Sequence, residues 1–134
     1  MTIKYTWRGP AENGELNRLH AEAFETRVYA AEEWNWVEQL EEHSLGWVTA
    51  RENDNLVGFV NVVWDGLVHA WIQDTMVSSG ERHRGVGTEV VRVAVEHART
   101  AGCEWLHVDF EEHLRDFYLN ACGFTPTNAG LIAL

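Results

Sequence analysis

Apolar and polar positions alternate from residue 2 to residue 7, with Ile3, Tyr5 and Trp7 on one side, and the alternation stops at Gly9-Pro10. A period of two ending at a turn pair predicts a first strand. Leu16, Leu19, His20, Ala23 and Phe24 then recur at steps of three and four, with Glu15, Arg18, Glu22 and Glu25 on the opposite face, which predicts an amphipathic helix. A second helical stretch sets Trp34, Val37 and Leu40 against Glu32, Glu33, Glu38, Glu41 and Glu42. Strand signals follow over Leu45 to Arg51, Leu56 to Trp64 and Leu67 to Val77, separated by turns at Asn53-Asp54-Asn55 and Asp65-Gly66. The clearest helix runs from about Val86 to Ala101, with Val86, Val90, Val93, Ala94, Ala98 and Ala101 on one face and Gly102 as its C-terminal cap. Its Glu89, Arg92, Glu96 and Arg99 lie at spacings where opposite charges pair.

Trp105 to Phe110 reads as a short strand, Leu114 to Ala121 as a short helix, and Gly123-Phe124 opens a last strand-like segment. The element order is β-α-α-β-β-β-α-β-α-β. A strand, a helix and a strand over residues 67–110 imply one parallel crossover in an otherwise antiparallel sheet, so the expected fold is a mixed α/β domain with about four helices. At 134 residues the chain suits a single domain over 1–134.

With 46% hydrophobic residues and seven Trp, the chain has ample material for a core and is too apolar for disorder. Ten Lys+Arg against 21 Asp+Glu give a net charge of −11, which disfavours nucleic acid or an anionic membrane as partner. That acidity suits a cationic or amine-bearing substrate and serves plain solubility equally well. No apolar run approaches the roughly 20 residues of a membrane span, and no signal segment follows Met1. Cys103 and Cys122 fit neither a disulfide framework nor a zinc pattern, so a reduced, cytoplasmic setting is the expectation.

The most informative segment is Arg82-His83-Arg84-Gly85-Val86-Gly87, between the end of a strand and the start of a helix. A helix N-terminus presents unpaired N–H groups and partial positive charge, glycines let a phosphate approach the backbone, and two arginines add charge. A pyrophosphate cradle and an ordinary glycine turn both fit these residues. A dinucleotide fingerprint does not, since its third glycine is absent, and no Gly-Lys-Ser/Thr exists for a P-loop. His107-x-Asp109 with His113 nearby invites a metal reading that nothing else supports, and no metal is expected.

Val77-Ser78-Ser79-Gly80-Glu81-Arg82-His83-Arg84-Gly85-Val86-Gly87 resembles the acetyl-CoA signature of the GNAT superfamily of N-acetyltransferases, with its Gln/Arg-x-x-Gly-x-Gly/Ala core. Phe117-Tyr118-Leu119-Asn120-Ala121-Cys122-Gly123-Phe124 resembles the second motif of that family, and Asp74-Thr75-Met76-Val77 resembles the end of the strand that feeds the loop. Ser79 stands where many members have proline, and Glu111 where the family often has asparagine.

The resemblance implies acetyl transfer from acetyl-CoA, as co-substrate, to a primary amine of a small molecule or peptide by direct attack in a ternary complex. The diphosphate would lie on Arg82, His83, Arg84, Gly85, Val86, Gly87 and Thr88. The pantetheine arm would pair with the backbone of Met76 and Val77, in a cleft where the strand at 67–77 splays from that at 105–110. The Val77 N–H would serve the thioester oxygen as it gains charge. Tyr118 is the expected general acid for the leaving thiolate. Asp74, Glu111, His107 and His113 are candidates for the base, with Asp74 and Met76 expected on one face of their strand opposite Thr75 and Val77. Tyr29 and Trp36, off the helical stripe of Trp34, are the expected acceptor-pocket residues, with cation–π attraction to an amine. The rival reading is a non-catalytic module that binds acyl-CoA or a partner. The apolar Leu131 to Leu134 is expected to complete a sheet, within one chain or across a homodimer.

Overall fold

The computed structural model describes residues 2–81 and 84–134. The order is β1 (Lys4–Trp7), α1 (Asn13–Phe24), α2 (Trp36–His43), β2 (Ser44–Glu52), β3 (Asn55–Trp64), β4 (His69–Val77), α3 (Val86–Thr100) and β5 (Trp105–His107). The five strands form one sheet in the spatial order β1-β2-β3-β4-β5. All neighbours are antiparallel except β4 and β5, which are parallel and joined through α3. The expected parallel crossover is therefore present.

Local chemistry explains the turns. Asn53 and Asp54 both take positive φ, at 50° and 70°, the conformation of a two-residue hairpin turn whose twist matches the flanking strands. The Asp65 carboxylate accepts from the N–H groups of Leu67 (2.8 Å) and His69 (3.1 Å), shaping the turn into β4. Gly102, at φ 95°, follows α3, donating to Arg99 O while Cys103 donates to Ala98 O, both at 3.0 Å. These two bonds satisfy carbonyls that the helix end leaves over.

The sheet is covered on both faces. On one, Val48, Ala50, Val60, Val62, Ala70 and Ile72 pack against Val86, Val90, Val91 and Ala94 of α3. On the other, Leu16 and Leu19 of α1 and Trp36 and Leu40 of α2 close over Phe59 and Met76. Each side chain of this size, fully buried, contributes roughly 1.5–3 kcal/mol. On the outer face of α3, Arg92 bridges Glu89 and Glu96.

Three expectations are corrected. The second helix begins at Trp36, capped by the Asn35 side chain accepting from Glu38 N (3.1 Å), so Trp34 precedes the helix and shares no helical stripe with Val37. The segment expected as one helix over 114–121 is a 3-10 turn, Glu112–Leu114, followed by a π-helical turn, Phe117–Ala121, closed by Cys122 N donating to Phe117 O (2.9 Å). Residues 123–134 form no strand, and Leu131 and Ile132 stand 88% and 82% exposed, because β5 ends at His107 and offers only three residues to pair with.

Candidate active site

β4 pairs with β5 only from His69↔Trp105 to Trp71↔His107, yet it continues to Val77 along β3. Beyond Trp71 the β5-facing edge of β4 is therefore free of strand pairing, and the splay expected from the sequence is present. Its mouth is held by His69 Nδ1 and His107 Nε2, 3.0 Å apart, with the His107 ring stacked on Trp71. Ser78 N donates to Val57 O on β3 (2.8 Å). Since successive residues of a strand direct their backbone groups to opposite sides, the N–H of Val77 faces the free edge and that of Met76 faces β3. Met76 contributes a fully buried side chain beneath α1 and α2.

A bulge interrupts β4 in this stretch, because Phe59 and Asn61 on β3, two residues apart, face Met76 and Gln73, three apart. Asp74 lies within it at φ 55°. The bulge breaks the alternation assumed from sequence: Ala70 and Ile72 pack on the α3 side, whereas Met76 packs on the α1/α2 side with Val77 turned to α3. Bulges of this kind re-aim a side chain. Asp74 is half-buried, and that burial pushes its carboxyl pKa up from 3.8 to about 6.

Tyr118 comes from the π-helical turn and is buried among Phe110 (5.2 Å, stacked), Phe117 (4.8 Å, edge-on) and Phe124 (6.0 Å, edge-on). Burial raises the pKa of its phenol, opposed by a hydrogen bond from the Thr75 hydroxyl of the bulge. The bulge and the π turn, 43 residues apart in sequence, thus meet across the free edge of β4.

Helix α3 begins beside this edge. Gly85 is its N-cap at φ 77°, where an added Cβ would meet nothing within 4 Å, and Glu89 N donating to Gly85 O (3.1 Å) is the first bond of the helix. The N–H groups of Val86, Gly87 and Thr88 precede that bond and have no intrahelical partner. Two expectations change here. A Cβ on Gly87 would lie 3.2 Å from the Phe117 ring and 3.4 Å from Val77, so bareness at 87 admits an aromatic side chain, while at 85 it admits the left-handed backbone. Arg84 is engaged within the chain: its guanidinium bridges Glu52 (3.0 Å) and Glu81, and its N–H donates to Glu81 O (3.1 Å). Positive potential at this corner therefore comes from the helix backbone among the described residues. Arg82 and His83, also expected in the cradle, lie outside the described residues.

Among the remaining expected residues, Glu111 points to solvent 3.5 Å from an equally exposed His113, away from the burial that perturbs Asp74. Trp36 is corrected from pocket to core. It is fully buried against Phe59, and its indole N–H donates to Asn17 Oδ1 (2.8 Å), leaving no surface for a ligand. The half-exposed members of that aromatic group are Tyr29 and Trp34, 5.7 Å apart, with the Arg27 guanidinium 4.4 Å from the Tyr29 ring. His20 sits among them, buried, with its Nδ1 unpartnered among the described residues and its pKa lowered by burial. Sequence reasoning passed over Thr75, His20 and the contact of Phe117 with residue 87, since each depends on elements far apart in the chain. Cys103 and Cys122 are free, with the Cys122 thiol pushed up to about 11 by burial. The described residues contain no group of three or more metal-capable side chains.

A mixed sheet with one splayed parallel pair, and a helix N-terminus aimed at the splay, defines a fold that offers an extended ligand a strand edge and its anionic end a set of free N–H groups. The model of the acetyltransferase (GNAT) family matches residues 13–124, and the chain belongs to that family. Residues of the chain are 40% identical over 57 positions to glucosamine 6-phosphate N-acetyltransferase 1 of Oryza sativa subsp. japonica, covering 42% of this chain and 34% of that protein. The match thus spans about a third of the length of this curated relative. The glucosamine-6-phosphate N-acetyltransferase of Arabidopsis thaliana superposes with a TM-score of 0.80 at 16% identity, covering 100% of this chain and 99% of that one. A GNAT-family acetyltransferase from Streptococcus pneumoniae does so with a TM-score of 0.78 at 19% identity, covering 99% and 98%. These superpositions show the shared fold.

Proposed function

We propose that the chain transfers the acetyl group of acetyl-CoA to the primary amine of a small molecule, by direct attack in a ternary complex. The observation that carries this reading is the meeting of Thr75 with the buried Tyr118 phenol beside an unpaired strand backbone at the edge of β4, with the Asp74 bulge and the start of α3 adjoining.

The residues present fit acetyl-CoA. The N–H groups of Val86, Gly87 and Thr88 would receive the diphosphate, and the free β4 edge around Thr75 and Val77 would pair with the pantetheine amides. Bound there, acetyl-CoA supplies the activated acyl carbon and a thiolate leaving group. The Val77 N–H would stabilise the oxygen of that carbonyl as charge develops on it. Asp74, with a pKa near 6, is mostly ionised at neutral pH yet basic enough to accept a proton from the incoming ammonium, directly or through water. Tyr118 stays protonated because burial raises its pKa, so it holds a proton for the departing sulfur. The Thr75 hydroxyl orients the phenol.

The acceptor is proposed to be a small amine, in keeping with the net charge of −11 and with the sugar amine named for the rice and Arabidopsis relatives. The half-exposed Tyr29 and Trp34 are the aromatic faces available to it. Calorimetric titration with coenzyme A, followed by incubation with acetyl-CoA and a panel of amines including glucosamine 6-phosphate, tests the reading. Amine-dependent release of free thiol is the expected result. Binding without amine-dependent release would instead make the chain an acyl-CoA-binding module.

A further inference from the structure

Where β4 ends, the chain is held by a residue that no motif marks. The Glu22 carboxylate, on α1, accepts from the Ser79 N–H (3.2 Å), the Ser79 hydroxyl (2.6 Å) and the Ser78 hydroxyl (3.5 Å), through the same oxygen. These bonds join residues 56 and 57 apart in the chain, across the gap between α1 and the segment leading to α3.

The helix that carries Glu22 is itself rigidly seated. At its start Arg51 of β2 forms a bidentate pair with Glu15 and also donates to Pro10 O (2.8 Å) and Asp54 O (2.7 Å). Glu15 in turn accepts from the N–H of Glu12 (3.0 Å), closing the first turn of α1. Leu16 and Leu19 are buried on Phe59 and Met76. Glu22 lies seven residues beyond Glu15, about 10 Å along the helix axis, and so projects from a fixed base.

We propose that Glu22 is a positioning residue for the donor site: it fixes the turn after β4 so that the free N–H groups at the start of α3 are presented to the coenzyme in one arrangement. The proposal rests on the acetyl-CoA reading for its ligand. Ser79 begins the 3-10 turn Ser79–Glu81, whose own bonds are Glu81 N to Ser78 O (2.9 Å) and Arg84 N to Glu81 O (3.1 Å). Arg84, bridging Glu81 and Glu52, ties the far end of that turn to the sheet; without Glu22 its first residue would be free to fray, since one or two local bonds barely offset the entropy of ordering it. A proline at 79 would order the turn by a different route, fixing φ at the first position of a helical turn while donating no N–H. Glu22 and a proline at 79 are thus alternative solutions to one problem, and their effects must be non-additive.

A carboxylate beside a phosphate site also carries an electrostatic penalty for an anionic ligand. Its role as an acceptor for Ser79 separates two variants. Glu22→Gln keeps an oxygen for both Ser79 donors and is expected to bind coenzyme A within about twofold of wild type. Glu22→Ala removes the tie and is expected to weaken binding about three- to tenfold, an effect of the size of one or two exposed hydrogen bonds. In a Ser79→Pro background, Glu22→Ala is expected to change affinity by less than about twofold.

The test is calorimetry of the wild type, Glu22→Gln, Glu22→Ala, Ser79→Pro and the Glu22→Ala/Ser79→Pro double variant with coenzyme A. It is paired with amide hydrogen exchange of the same proteins without ligand. Exchange at the hydrogen-bonded amides of Ser79, Glu81, Arg84 and Glu89 is expected to accelerate in Glu22→Ala and to stay near wild type in Glu22→Gln. If the wild type binds no coenzyme A the donor-site reading falls, and the exchange data alone still decide the role of Glu22. Wild-type exchange and affinity in Glu22→Ala overturn the proposal. So does a penalty that persists undiminished in the Ser79→Pro background, or a Glu22→Gln variant that behaves like Glu22→Ala.

Discussion

Asp74→Asn is expected to stabilise the protein at neutral pH while crippling it as an enzyme. A carboxyl whose pKa rises on folding binds its proton more tightly in the folded chain than in the unfolded one. Folding stability then falls as pH rises through the interval between the two values, here from 3.8 to about 6. At about 1.4 kcal/mol per tenfold change in proton affinity, that interval corresponds to a ceiling of about 3 kcal/mol lost above pH 6. Asparagine has nothing to ionise, and it tolerates the φ of 55° at this position as well as aspartate does, so the backbone adds no new strain. The variant should match wild type below about pH 4 and exceed it by about 1–3 kcal/mol at pH 7. Urea unfolding followed by tryptophan fluorescence, at a series of pH values, measures the difference directly. A difference that does not vary with pH, or a variant less stable than wild type at pH 7, would refute the placement of a buried, ionising carboxyl at the bulge. Turnover with acetyl-CoA and an accepted amine should drop about 100-fold, the scale of a lost general base, and the wild-type rate should rise with pH around a midpoint near 6.

Tyr118→Phe keeps the ring that packs on Phe110, Phe117 and Phe124, so it should leave coenzyme A affinity little changed while lowering kcat about 100-fold; wild-type kcat would remove the phenol from the reaction. Gly87→Leu must push Phe117 aside and should cost about 1–3 kcal/mol in chemical denaturation, whereas Gly87→Ala, with a contact of 3.2 Å offset by better helix propensity, should change stability by less than about 1 kcal/mol. Equal stability of the leucine variant and wild type would contradict the close approach of that ring. Trp36→Ala should destabilise by about 3–5 kcal/mol, because it empties core volume against Phe59 and strips Asn17 of its donor. A stable variant with a raised KM for the amine would return Trp36 to an acceptor pocket.

The solvated Glu111 and the tied Arg84 bear on the chemistry in one direction. Both are charges that sequence position associates with the site, and neither is held where burial amplifies it. The perturbed groups are instead Asp74 and Tyr118, one on a distorted strand and one on a distorted helical turn. Irregular backbone carries both: Asp74 sits in the bulge of β4, and Tyr118, on the π-helical turn, meets the neighbouring Thr75.

Local information was enough for the repeating elements. The period of two in β1, the apolar β-branched runs of β2, β3 and β4, the i, i+4 valines and alanines of α3, and the Asn-Asp and Asp-Gly turns each express backbone preferences and burial patterns confined to a few neighbouring residues. The motifs around Gly85 and Tyr118 were likewise readable as residue strings. The bulge at Asp74 was not, because it arises from register between two strands, and that in turn reassigned Met76 to the opposite face. Trp36 moved from the expected pocket into the core, with Trp34 stacked on it and partly buried, once the helix began at Trp36 behind its Asn35 cap. What the chain order alone determined is where most of the strands and helices fall. Tertiary structure decided which carboxyl is buried, which glycine makes room for a ring, and which acid holds the turn after β4, since each depends on a contact made across the chain.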